Sequence, residues 1–192
     1  DAFRQRGMAV FILFGAFTCV IYGILDEYDF IFGKPNGVPL AWIGVWGAFR
    51  FLMEGIGGLL APKISVKIGT GNIKGLALWT AAAGLFLSLG TLWGMRFLLP
   101  LYFVFYGMMA AAEVIFQGIL QRSIEYAGRA TLSSLVSFLY TALGIGAGII
   151  LGLAADKIGL PSLFYIGGAS VFLSALAYYF YKIPPPGCGD KR

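Results

Sequence analysis

Residues 49–58 read Phe-Arg-Phe-Leu-Met-Glu-Gly-Ile-Gly-Gly, with Arg50 and Glu54 four positions apart in an apolar run. On a helix that spacing puts both on one face, where they can pair. A charge at the centre of a hydrocarbon layer costs at least ~2.5–3.5 kcal/mol on insertion scales, so such groups face a bundle interior or a water-filled cavity. The pair is therefore either a structural ion pair that fixes packing or a direct participant with a substrate or proton. Glu113 follows Met108-Met109-Ala110-Ala111-Ala112 in another apolar run, and no neighbour on its own helix can neutralise it. An interior acid of this kind can accept a proton or meet a cationic solute. The structural alternative for Glu113 is partnership with Arg50 or with backbone groups. Asp26, Glu27 and Asp29 close the first apolar run. They read as a solvated helix end in which only Asp26 is a cavity candidate.

Other chemistries are closed off. The chain has no histidine, which removes the commonest general base and metal ligand. Ser-His-Asp hydrolysis, HExxH zinc sites and His-ligated haem are excluded. The two cysteines, Cys19 in an apolar run and Cys188 in the tail, suggest neither a disulfide framework nor a metal cluster. No Walker motif for ATP is present, and no cofactor is expected. Tyr28-Asp29 and Gly187-Cys188-Gly189-Asp190 echo the paired motifs of intramembrane aspartyl proteases. The second follows Pro184-Pro185-Pro186 in a polar tail and cannot enter a membrane as a helix. No enzymatic activity is expected.

The elements that must position these residues follow from composition. The 192 residues are 59% hydrophobic and 12% charged, with a mean hydropathy of +0.83. Soluble domains are nearer ~45–50% apolar and ~25% charged. A run of about 20 apolar residues crosses the ~30 Å of hydrocarbon in a bilayer. Six runs qualify, at about 8–26, 40–61, 73–94, 97–120, 131–155 and 160–182. Backbone groups in lipid must bond within their own segment, so the expected fold is an all-α polytopic membrane protein. Residues 1–182 form one transmembrane domain, and the Pro/Gly-rich residues 183–192 read as a disordered tail. Gly94-Met95-Arg96 reads as a tight turn. The net charge of +5 lies in short connections, the signature of membrane orientation rather than of nucleic-acid binding. The side bearing both termini collects ten of the 14 basic residues, the other only Lys34, Arg96 and Lys157. Cytoplasmic termini in a cell (inner) membrane are expected. The opening Asp1-Ala2-Phe3-Arg4, without Met, reads as a piece of something longer.

The halves resemble each other. Gly58-Leu59-Leu60-Ala61-Pro62-Lys63-Ile64 and Gly152-Leu153-Ala154-Ala155-Asp156-Lys157-Ile158 agree at five of seven positions, at an offset of 94, and Phe86-Leu87-Ser88 matches Phe172-Leu173-Ser174 at an offset of 86. Spans one to three would then repeat as spans four to six. An odd number of spans makes the copies inverted, as in secondary transporters. On the fifth span Gly144, Gly148 and Gly152 form a ridge of small residues suited to close helix packing. Trp42, Trp46, Trp79 and Trp93 read as interfacial or packing residues, and Tyr106 and Gln117 as side chains that could line a cavity.

The chain resembles the C-terminal six-helix half of a major facilitator superfamily transporter. Gly57-Gly58-Leu59-Leu60-Ala61-Pro62-Lys63 through Gly69 stands where that family carries a Gly-x-x-x-Asp-Arg/Lys-x-Gly loop, with Pro62 in place of the acid. Residues 128–146 resemble the start of the penultimate helix, and Gly152–Gly168, with Asp156 and Lys157, the turn into the last. The resemblance implies two inverted three-helix repeats and a missing N-terminal six-helix half. It also implies movement of a small solute by alternating access, coupled to a proton or solute gradient. Arg50, Glu54, Glu113 and Asp26 are the pathway candidates, and Gly58, Lys63, Asp156 and Lys157 the loop-motif residues. The other reading is a complete six-helix membrane protein, a self-pairing carrier or a channel.

Overall fold

A computed structural model describes residues 6–34, 37–92, 96–122 and 129–181. The expected turn at 94–95, Trp93, most of the connection after Arg122 and the tail from residue 182 lie outside the described residues. Among the described residues, six helices are long and apolar enough to cross a membrane.

Helix α1 (Arg6–Glu27) is followed at once by a five-residue helix α2 (Asp29–Gly33). A 3-10 turn at Leu40–Trp42 then feeds α3 (Ile43–Ile68). The second span was expected to end near residue 61, but α3 runs through Pro62 and stops only at Gly69, where φ is +91°. Gly58 and Lys63 are thus helical, not in a loop. Nothing before Gly69 demands a left-handed backbone, and a proline near a helix end forfeits only one bond, to the Gly58 carbonyl. The same correction holds for Asp156 and Lys157, which sit in the last turn of the helix Arg129–Ile158.

Asn72 locks the next junction. Its side chain accepts a bond from Gly75 N at 3.1 Å, capping α4 (Ile73–Gly90), and donates one to the Ile68 carbonyl at 2.8 Å. A 3-10 turn at Arg96–Leu98 leads into α5 (Leu99–Arg122), followed by α6 (Arg129–Ile158) and α7 (Leu160–Phe180). The break between the last two is Gly159, with φ +78°.

Two crossings set the bundle. At Gly84 a Cβ would lie 2.7 Å from the Gly168 carbonyl, and at Gly168 one would lie 2.8 Å from the Gly84 carbonyl, so α4 and α7 touch backbone to backbone. A Cβ on Gly57 would sit 1.9 Å from the Gly107 carbonyl, which brings α3 equally close to α5. This is the small-residue packing that association in lipid favours. Helix α1 lies against α6 and α7, and α4 also packs on α5. One core layer, with Phe11, Phe14, Leu76, Phe116 and Tyr178, surrounds the start of α1. The other, with Leu25, Phe32, Trp46, Tyr102 and Phe164, surrounds its end. Coverage is uneven: none of the most apolar stretch of α6 is buried within the chain, and only 22% of that of α3.

Candidate functional site

The second layer contains the charged residues. Trp46, Arg50 and Glu54 follow one another at i, i+4, i+8 on α3, so they form one stripe along the helix. Tyr102 and Tyr106 form a matching stripe on α5. The Arg50 side chain is 1% exposed and sits among three carboxylates. Its Nη1 donates to Glu54 Oε1 at 2.7 Å and also contacts Asp26 Oδ1. Its Nε lies 3.0 Å from Asp29 Oδ2. The guanidinium also lies over the rings of Phe51, at 4.2 Å, and Tyr106, at 4.9 Å, both within cation–π range.

Asp29 was expected to be solvated, and the structure corrects this: its side chain is 0% exposed. The chain turns at Tyr28, and α2 directs Asp29 inward while Glu27 stays exposed. Trp46 Nε1 donates to Asp29 Oδ1 at 2.8 Å, and the Tyr102 hydroxyl bonds the same oxygen. A buried carboxylate requires such partners. Trp46 is therefore a polar anchor as well as a packing residue. Trp79 is anchored too, through Nε1 to the Met108 carbonyl at 2.9 Å, whereas Trp42 is exposed.

Asp26 and Glu54 differ from Asp29. They remain 40% and 19% exposed, and Glu54 accepts a 2.6 Å bond from the Tyr22 hydroxyl. Formally, three carboxylates face one guanidinium. Asp29 is closed in by Arg50, Trp46 and Tyr102, so the surplus negative charge falls on Asp26 and Glu54, the pair that opens outward. This arrangement can take up a proton or a cationic group. Among the described residues no group of three or more His, Cys, Asp or Glu side chains has the arrangement of a metal site.

The structure brings together Arg50, Glu54 and Asp26 of the expected residues and adds Asp29, Tyr22, Trp46 and Tyr102. Glu113 is not among the ion-pair partners of Arg50. It lines a separate small cavity between α1, α4 and α5. The glycine ridge does not pack as expected: within 4 Å of a Cβ at Gly144 or Gly148 there is nothing, and one at Gly152 would meet only the Tyr28 hydroxyl. All three glycines are partly buried, and the exposed face of α6 runs instead through Ile145, Ile149 and Leu153. Lys63, Asp156 and Lys157 are exposed, and none of them is an ion-pair partner in the Arg50 cluster. Compared with known protein families, curated proteins and solved structures, the chain matches none.

Proposed function

We propose that the chain is a six-helix half of a secondary transporter of the major facilitator type, the C-terminal half, which moves a small solute by alternating access. The main support is the Arg50 cluster: ionisable groups that lipid cannot solvate, two of them opening outward from the bundle. The two least covered spanning helices, α3 and α6, are the natural walls for a second six-helix unit. In the repeat reading they are each other's counterparts. The packing pattern fits that reading: α3 lies on α5 as α6 lies on α1, and α4 lies on α5 as α7 lies on α1. The reciprocal crossing of Gly84 with Gly168 relates the copies at an offset of 84, two short of the sequence match at Phe86 and Phe172. The termini face the cytoplasm in this reading, on the side where the basic residues concentrate.

The experiment is cysteine accessibility in membranes, with Cys19 and Cys188 replaced by Ser. A membrane-impermeant maleimide should label Thr141→Cys and Gly146→Cys, two exposed positions of α6. It should leave Leu173→Cys on α7, 63% exposed, unlabelled as a lipid-facing control. No labelling at either α6 position would remove the water-lined pathway. Labelled positions in a chain that runs as a stable dimer would instead establish the self-pairing six-helix protein.

A further inference from the structure

Three acids of the described spanning helices lie outside the Arg50 cluster: Glu27 and Asp156 are exposed at helix ends, and Glu113 lies within α5. On α5 it lines a cavity shared with Phe14, Thr18, Thr80 and Met109 that has room of about 10 Å³, roughly one water molecule. Apart from the Cys19 thiol, a weak donor, the polar lining is one-sided. The Thr18 hydroxyl donates its hydrogen to the Phe14 carbonyl at 2.9 Å, and the Thr80 hydroxyl donates to the Leu76 carbonyl at 2.9 Å. What each hydroxyl still turns to the cavity is an acceptor lone pair. An ionised carboxylate adds only more acceptors. A carboxylic acid, or a water beside it, supplies the strong donor that the lining lacks.

Among the described residues no cation pairs with Glu113. Arg50 is engaged by Asp26, Asp29 and Glu54. The titratable groups that reach Glu113 are Cys19 and Tyr22 of α1, Glu54 of α3 and Tyr140 of α6. None of them carries positive charge, and α4 contributes only the Thr80 hydroxyl to the cavity's polar lining. An unpaired carboxylate in such surroundings is costly, and a neutral acid is not.

We propose that Glu113 and its cavity form a proton-binding site inside the membrane, separate from the Arg50 cluster and served by a single water. As the coupling site of a transporter the assignment rests on the reading above, but proton binding itself does not. The test is therefore made on binding. A hydrophobic carbodiimide attacks carboxylic acids that hold their proton in apolar surroundings. The full chain in liposomes is treated across a range of pH, digested and mapped by mass spectrometry. The adduct should fall on Glu113, decline about tenfold per pH unit once the acid titrates, and vanish in Glu113→Gln. Labelling confined to Asp26 or Glu54, or an adduct on Glu113 that is indifferent to pH, would overturn the proposal, and because the mapping uses the unaltered chain it does not depend on a variant folding. A labelled Glu113 in a protein that moves no solute defeats the transport reading alone. Solute movement with Glu113 unlabelled defeats the proton site alone.

Discussion

Arg50→Ala is the sharpest perturbation of the cluster. It removes the one cation from a site where Asp29 is 0% exposed. Asp29 keeps its bonds from Trp46 and Tyr102 but loses its counter-charge. Removing one partner of a buried ion pair costs about 3–5 kcal/mol, because the other charge is stranded. That is roughly two to four decades in the unfolding equilibrium. Asp29→Asn should cost less, about 1–2 kcal/mol. Its amide oxygen can still accept from Trp46, and Arg50 retains Asp26 and Glu54. The double variant tests the logic. With Asp29 neutral no buried charge is stranded, so Arg50→Ala/Asp29→Asn should be more stable than the sum of the singles by about 1–3 kcal/mol. The assay is unfolding in mixed micelles titrated with a denaturing detergent, followed by tryptophan fluorescence, to which Trp46 reports from within the site. An Arg50→Ala cost below about 1 kcal/mol, or strict additivity in the double variant, would refute the claim that this cluster is a mutually dependent unit.

Two further tests use local contacts. Gly57→Ala forces a Cβ to within 1.9 Å of the Gly107 carbonyl, backbone that cannot move aside, whereas Gly58→Ala meets nothing within 4 Å. The first should lose about 1–3 kcal/mol of stability in the same unfolding assay, and the second should lie within about 0.5 kcal/mol of the parent; equal effects would contradict the α3–α5 crossing. Tyr22→Phe deletes the 2.6 Å bond to Glu54 and should cost about 1.5–3 kcal/mol, as bonds to a charged group do, while Tyr28→Phe serves as the control.

Much was legible before the tertiary structure. Six spanning helices follow from the length of the apolar runs, because bilayer thickness fixes how long such a run must be. The Arg50–Glu54 pair was legible too, because i, i+4 spacing is a property of one helix and holds wherever that helix packs. Helix ends were less so: α3 continues past Pro62 to Ile68 because a proline removes one bond without dictating a turn, and the left-handed Gly69 makes the actual stop.

What joins one helix to another came only from the fold. Asp29 looks like Glu27 in sequence, yet the turn at Tyr28 buries the first and leaves the second exposed. A usable signal existed in the stripes Trp46-Arg50-Glu54 and Tyr102-Tyr106, hydrogen-bonding side chains repeated at four-residue spacing on apolar helices. It marks two faces that want polar partners but does not say which carboxylate supplies them. The glycine ridge of α6 has the opposite history: its spacing promises a close crossing, yet at Gly144 and Gly148 an added Cβ would meet nothing within 4 Å. Sequence alone determined the solvent, the number of spans and the presence of charge within them, since each depends on a residue and its near neighbours. The tertiary structure decided that Arg50 belongs to Asp29 and that Glu113 stands apart, since ion pairing depends on distances between helices that local sequence does not set.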